Sequence, residues 1–248
     1  MIQDLMLRTI AERISRGVTL KRKLPEEFGG LTLYVTPDSS LKYWQRDIGK
    51  VDPWLLGMAK ELARPGSVVW DIGANVGLFA FACAGLGSSV LAVEPDEKLS
   101  ALLRQSAVIN HLPVVVHSVA VSDRAGTAAF HVAARGRASN HLGAAVSSQT
   151  GGTRETRTVE TATLDSLLDS HPAPDVLKID VEGAEAEVLR GASKVLALRP
   201  RILIEVAESR ADEVTRILRA YRYELFDAGT HEPVGRAVWN TLALPGRS

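Results

Sequence analysis

The sequence predicts an open α/β fold: a mostly parallel seven-stranded sheet with helices on both faces and an antiparallel hairpin at its C-terminal edge. Three observations carry that prediction. From residue 66 onward, short apolar runs alternate with segments of helical periodicity. The runs are continuously apolar rather than alternating, as in parallel strands buried on both faces. The last two runs have no helix between them, which suits a hairpin. The expected division is a helical lid segment over 1–65 and a ligand-binding domain over 66–248, with a substrate-side insertion at 124–174.

Composition bounds the function before any motif is read. The chain has 248 residues, 46% apolar and 23% charged, which excludes disorder and allows a substantial core. Its 29 basic and 29 acidic side chains cancel, so no global field favours nucleic acid or an anionic membrane, and neither is expected as a partner. A lone cysteine, Cys83, excludes an intramolecular disulfide and paired C-x-x-C zinc sites. Asp4 and Arg8 interrupt the start where a secretory peptide needs an apolar core. Leu78 to Val93, the most apolar stretch, has 16 residues, short of the ~20 of a spanning helix. A cytoplasmic protein is the expectation.

Each element follows from local pattern. Ile2, Leu5, Met6, Ile10 and Ile14 predict an amphipathic helix from Met1 to Gly17, able to pack within the chain or between subunits of a homo-oligomer. The basic run Arg16, Lys21, Arg22 and Lys23 reads as solvated surface. Leu31 to Thr36 is a strand closed by Pro37-Asp38, and Pro53 to Ala63 is a helix with proline in its first turn, ended by Pro65-Gly66. Strands are expected at Val68–Asp71, Ser89–Glu94 and Val114–Val121, with helices at Val76–Ala84 and Lys98–Asn110 between them. Short strands at Thr127–Val132 and Arg157–Thr163 flank a Gly/Ser/Thr-rich loop. The rhythm resumes with Val176–Asp180, a helix Ala184–Val195, the strand Arg201–Val206 and a helix Ala211–Ala220. Tyr223–Phe226 and Trp239–Leu244 form the closing hairpin.

The sharpest motif is Val68-Val-Trp-Asp71-Ile-Gly73-Ala-Asn75-Val-Gly77, an apolar strand that ends in Asp and turns through glycines into a helix. Such a turn lets a ligand approach the backbone and aims helix amides at an anion. Dinucleotide binders need G-x-G-x-x-G, and only Gly73 and Gly77 are present, so an NAD-type oxidoreductase is the weaker alternative. No Gly-Lys-Ser/Thr follows, which excludes a P-loop. An acidic strand tip beside a carboxylate-binding turn suits a zwitterion carrying a cation, and S-adenosylmethionine is such a molecule. Glu94 ends the next strand 23 residues after Asp71, where an acid accepts hydrogen bonds from ribose hydroxyls.

Asp71-Ile-Gly-Ala-Asn-Val-Gly77, Glu94-Pro95, Val119-Ala-Val-Ser-Asp123, Thr163-Leu-Asp165, Leu177-Lys-Ile-Asp-Val-Glu-Gly-Ala-Glu185 with Leu189-Arg-Gly191, and Pro200-Arg-Ile-Leu-Ile-Glu205 together resemble the FkbM family of S-adenosylmethionine-dependent methyltransferases, over about residues 50–207. That resemblance implies a Rossmann-like class I methyltransferase moving a methyl group to a hydroxyl of a small molecule, a sugar or polyketide-type natural product. It also implies that Asp71, Gly73, Asn75 and Gly77 line the methionine end of the cofactor and Glu94 the ribose. Asn110, Ala120 and Val121 would border the adenine. A non-catalytic adenosyl-binding module is the remaining alternative.

Asp180 ends the fourth strand of the sheet, beside the first across the switch point, so it is expected to face the transferred methyl as base or acceptor ligand. His141, in the insertion, is the second candidate base, with its ordinary pKa near ~6.5. Tyr43, Trp44 and Glu182 are expected at the substrate. Asp180, Glu182, Glu205 and Glu208 also suit Mg²⁺ by their hard oxygen ligands, a reading less favoured than a metal-free site.

Overall fold

The structure, a computed structural model, describes residues 11–134, 136–142 and 152–246. Its strands are β1 (Leu20–Lys23), β2 (Thr32–Val35), β3 (Val68–Ile72), β4 (Ser89–Val93), β5 (Val114–His117), β6 (Ala120–Val121), β7 (Gly126–Ala133), β8 (His141–Leu142), β9 (Thr153–Ala162), β10 (Val176–Ile179), β11 (Arg201–Glu205), β12 (Tyr223–Asp227) and β13 (Asn240–Pro245). The helices that matter here are α1 (Pro53–Leu62), α2 (Leu78–Gly85), α3 (Glu97–Asn110), α4 (Leu164–Leu167), α5 (Glu185–Arg190), α6 (Ser193–Ala197) and α7 (Ala211–Ala220).

Seven strands form the main sheet in the order β12-β13-β11-β10-β3-β4-β5, parallel from β11 to β5, with β13 antiparallel to both its neighbours. The chain leaves β3 towards β4 on one side and returns as β10 on the other. That reversal opens a crevice at the strands' carboxyl ends, where open α/β sheets bind ligands. Trp70, Ile72, Leu177 and Ile179 bury one face and Val69, Val90, Phe79 and Phe81 the other, all at 3% exposure or less. Each such large side chain contributes about 1.5–3 kcal/mol relative to exposure.

Local chemistry sets the helix starts. Asp52 accepts from the Leu55 amide at 2.9 Å with Pro53 behind it, and Asp96 accepts from the Lys98 and Leu99 amides at 2.9 and 3.3 Å. Both caps stand at the carboxyl-end crevice.

Four expectations need correction. The lid segment is not wholly helical, because Leu20–Lys23 and Thr32–Val35 pair antiparallel. Most of the N-terminal helix lies outside the described residues; its last turn, 11–14, is helical, and Ile14 is 62% exposed rather than packed. The strand Val114–Val121 breaks after His117: β6 leaves the main sheet to pair with β9 in a second sheet ordered β6-β9-β7-β8. The helix Ala184–Val195 breaks at Gly191, where a Cβ would lie 2.3 Å from the Ser122 carbonyl oxygen, so close backbone approach by the segment after β6 accompanies the break. The Gly/Ser/Thr-rich loop lies largely outside the described residues.

Candidate functional site

Three hollows open at the carboxyl ends of the strands and meet at Asp180, which lines all of them. A cleft of about 570 Å³ runs past Gly73, Asn75, Glu94, Ala120 and Val121 under a roof of Arg137, Ala138, Asn140 and His141. A middle cavity is lined by Tyr43, Asp52, Asp71, Leu78, Phe79 and Lys178. An outer cavity is lined by Asp52, Trp54, Lys178, Glu205 and Asn240.

The turn after β3 is fixed by its neighbours. The Gly73 and Ala74 amides both donate to the Val93 carbonyl, at 2.9 and 3.1 Å, and the Asn75 amide donates to Glu94 Oε2 at 2.8 Å. These amides are spent inside the protein, so an anion would have to be met by the helix behind the turn. The N-terminal turn of α2 remains for that purpose, and its Leu78 and Phe79 line the middle cavity. Gly73 has φ 76°, and a Cβ there would fall 1.8 Å from the Asp180 carbonyl oxygen. Glycine therefore lets the tips of β3 and β10 touch. Gly77 serves packing, since a Cβ would strike Leu103 and Phe81 within 2.7 Å, and it lines none of the three hollows.

Glu94 is buried and accepts one amide on each oxygen, Asn75 on Oε2 and Asp96 on Oε1 at 2.9 Å. Burial pushes its carboxyl up to about 8 despite those two amides. Each oxygen keeps acceptor capacity towards the cleft.

A buried ion triad lies beneath the junction. Lys178 stands opposite Asp71 in the β10–β3 register, and its Nζ is 3.0 Å from Asp71 Oδ1 and 3.5 Å from Asp180 Oδ2. Burial disfavours the ammonium, but the Asp71 and Asp180 carboxylates outweigh it, so Lys178 titrates above the ordinary lysine range. Sequence reading missed this residue. A lysine two positions before Asp180, in a strand otherwise apolar, was the available signal, because strand residues i and i+2 share a face.

Asp180, Glu182 and Glu205 bring carboxylate oxygens within 4.8 Å of one another. Burial and the Asp180 charge push both glutamates up to about 8. The spacing suits a divalent cation, while the Lys178 ammonium already answers part of the same charge. Glu208 stands apart, paired with Arg236.

The roof is a second charged network. Arg137 donates to Asp38 at 2.8 Å and also to Asp96, Asn140 donates to Asp96 at 2.9 Å, and Lys98 and Arg154 reach Asp38 at 3.1 and 3.0 Å. Burial alone would raise the Asp38 carboxyl; Arg154, Arg137 and Lys98 hold it well below the usual carboxylate range. This network ties the lid segment to the insertion across the cleft. His141 sits in the roof at 4% exposure, its ring stacked on His131, and burial lowers its pKa.

Of the residues expected at the site, Asp71, Gly73, Asn75, Glu94, Ala120, Val121, His141, Asp180, Glu182 and Tyr43 line the cleft or the middle cavity. Three others do not line any of the three hollows: Gly77, which serves packing, Asn110 and Trp44. Asn110 closes α3 at its far end, where its side chain exchanges two hydrogen bonds with the Thr32 backbone, at 2.7 and 2.9 Å, and holds β2. It was placed by its position after the second strand, but a helix of that length carries its last turn away from the strand tips. Trp44 is 42% exposed, and its carbonyl accepts from Arg22.

Comparison with known proteins agrees with this geometry. The sequence profile of the Methyltransferase FkbM domain matches residues 71–225. The hexuronic acid methyltransferase AglP of Haloferax volcanii is 28% identical over 197 residues, covering 77% of this chain and 78% of that protein. Among solved structures, the T. thermophilus 16S rRNA methyltransferase RsmC, in complex with AdoMet and guanosine, superposes with a TM-score of 0.51 at 12% identity. That match covers 93% of this chain and 50% of the other, and shows the shared fold.

Proposed function

Since the chain belongs to the FkbM methyltransferase family and is therefore an S-adenosylmethionine-dependent methyltransferase, we propose that it methylates an oxygen of a sugar acceptor. The observation that carries this reading is the position of Asp180, where the cleft past Gly73, Asn75 and Glu94 meets two polar cavities. The cleft fits an adenosyl group: Glu94 has spare acceptor capacity for two ribose hydroxyls, and Ala120, Val121 and Phe130 supply apolar surface for the adenine. Asp71, Gly73 and Asn75 would hold the methionine end, with the first turn of α2 towards its carboxylate. S-adenosylmethionine supplies an electrophilic methyl on a sulfonium.

The chain's own work is positioning and proton handling. Reacting atoms must be held near ~3–3.5 Å in line, and the acceptor hydroxyl must lose its proton as the bond forms. Asp180 takes that proton, because it alone lines the cleft and both cavities. Lys178 orients Asp180 through its ammonium, 3.5 Å from Oδ2. His141 belongs to the cleft wall, since it lines neither cavity beyond Asp180. The lid segment and the insertion exclude water by closing over the cleft through Arg137 and Asp38.

Equilibrium binding and label transfer test the proposal. S-adenosylhomocysteine should bind in the micromolar range without competition from NAD, and labelled methyl should appear on a sugar oxygen. Binding of NAD without S-adenosylhomocysteine, or transfer to nitrogen alone, would contradict it.

A further inference from the structure

The outer cavity opens to solvent beyond Asp180 and is built from four elements: the N-terminus of α1, β10, the tip of β11 and the start of β13. Its polar groups are unusually free. Among the described residues, no hydrogen bond reaches the Glu205 carboxylate, the Asn240 side-chain amide or Trp54 Nε1. Asp52 uses one oxygen as the α1 cap and keeps the other. Several polar groups left open around one hollow, with an aromatic side chain among them, describe a place for a ligand rich in hydroxyls and C–H faces. Glu205 and Asn240 stand opposite each other in the β11–β13 register, so donor and acceptor are presented side by side.

Charge narrows the ligand further. Asp52, Asp180 and Glu205 line this cavity, Glu205 with its carboxyl pushed up to about 8, and among the described lining residues the cation, Lys178, is already held by Asp71 and Asp180. An acceptor carrying its own carboxylate would add to the Asp52 and Asp180 charges and to the protonation of Glu205, whereas one carrying an ammonium would relieve those charges and favour the ionised Glu205. We propose that the outer cavity is a sugar subsite, with Trp54 against the ring and Asp52, Glu205 and Asn240 on its polar groups, and that it selects amine-bearing and neutral sugars over uronates. This rests on the methyltransferase reading, and it departs from the acceptor named for the Haloferax relative.

The test measures S-adenosylhomocysteine release by the full chain with three probes at equal concentration: a methyl hexosaminide with a free amine, the matching neutral methyl hexoside and the matching methyl hexuronide. S-adenosylhomocysteine binding is followed in parallel. The expected order is hexosaminide first, hexoside second and hexuronide at least tenfold lower. Trp54→Ala should raise KM for the first two at least tenfold, and Glu205→Gln should remove the advantage of the amine, each with cofactor affinity unchanged. A hexuronide used as well as the others overturns the proposal, as does turnover of none of the three while S-adenosylhomocysteine still binds. An unchanged amine advantage in Glu205→Gln overturns it too. Failure of the wild-type chain to bind S-adenosylhomocysteine defeats the underlying methyltransferase reading instead.

Discussion

The strand-tip side of the cleft and its roof are held by different means. At the tips, main-chain hydrogen bonds and parallel register fix every position: Gly73 and Ala74 donate to Val93, Asn75 donates to Glu94, and Lys178 faces Asp71 across adjacent strands. In the roof, side chains far apart in sequence hold two segments together, with Arg137 linking Asp38 and Asp96. Backbone-fixed geometry depends on few residue identities, whereas the roof depends on each charged partner. The two sides of one cleft are thus held differently, the tips by strand geometry and the roof by side-chain charges.

Substitutions can break this contrast, and the largest effect is expected at the tips. Asp180→Asn should lower methyl-transfer kcat by about 10²–10⁴-fold, the usual worth of a positioned base, with S-adenosylhomocysteine affinity nearly unchanged. Equal losses in both would place Asp180 in cofactor binding alone. Above pH 8, where the Glu94 carboxyl is ionised, Glu94→Gln should weaken S-adenosylhomocysteine binding about 10–100-fold, through loss of charge-assisted hydrogen bonds worth roughly 1.5–3 kcal/mol, measured by calorimetry.

In the roof, Arg137→Ala leaves two buried carboxylates without their shared partner. Breaking such a pair costs about 3 kcal/mol or more, so Tm should fall by about 6–12 °C, with Arg137→Lys recovering part of it. An unchanged Tm would show that the two segments close without this network.

A pH scan separates the regions by sign. Glu94, Glu182 and Glu205 have folded pKa values raised from 4.5 to about 8, so the folded form binds protons more tightly than the unfolded chain. Their stabilising contribution is present below pH 4.5 and is lost as pH rises through about 8. Asp38 is shifted the other way, so its contribution is lost as pH falls below the ordinary carboxylate range. Thermal melts of the ligand-free protein should therefore decline between pH 5 and 8.5, and Glu94→Gln should flatten that decline. The smallest expected effect is at Asn110. Replacing it with alanine should cost about 1–2 kcal/mol through the Thr32 contacts and leave cofactor affinity untouched.

How much was legible in the sequence follows the same division. The seven strands, the closing hairpin and the acidic tips at Asp71, Glu94 and Asp180 were readable, because strand patterning and turn glycines are local signals. The glycines' purpose was not: Gly73 and Gly77 are there for contacts with Asp180, Leu103 and Phe81 that join distant positions. Arg137 carries no local mark, since its meaning depends on Asp38 and Asp96, 99 and 41 residues away. Asn110 misled for the converse reason, a position reasonable in sequence that the helix carries away from the tips.

A structure of the protein with S-adenosylhomocysteine bound is the most direct test that cleft and cavities meet at Asp180. The ribose is expected on Glu94 under the Arg137 roof, with the sulfur directed towards Asp180 and the outer cavity left open. Adenosine seated instead among Trp54, Glu205 and Asn240 would contradict the account.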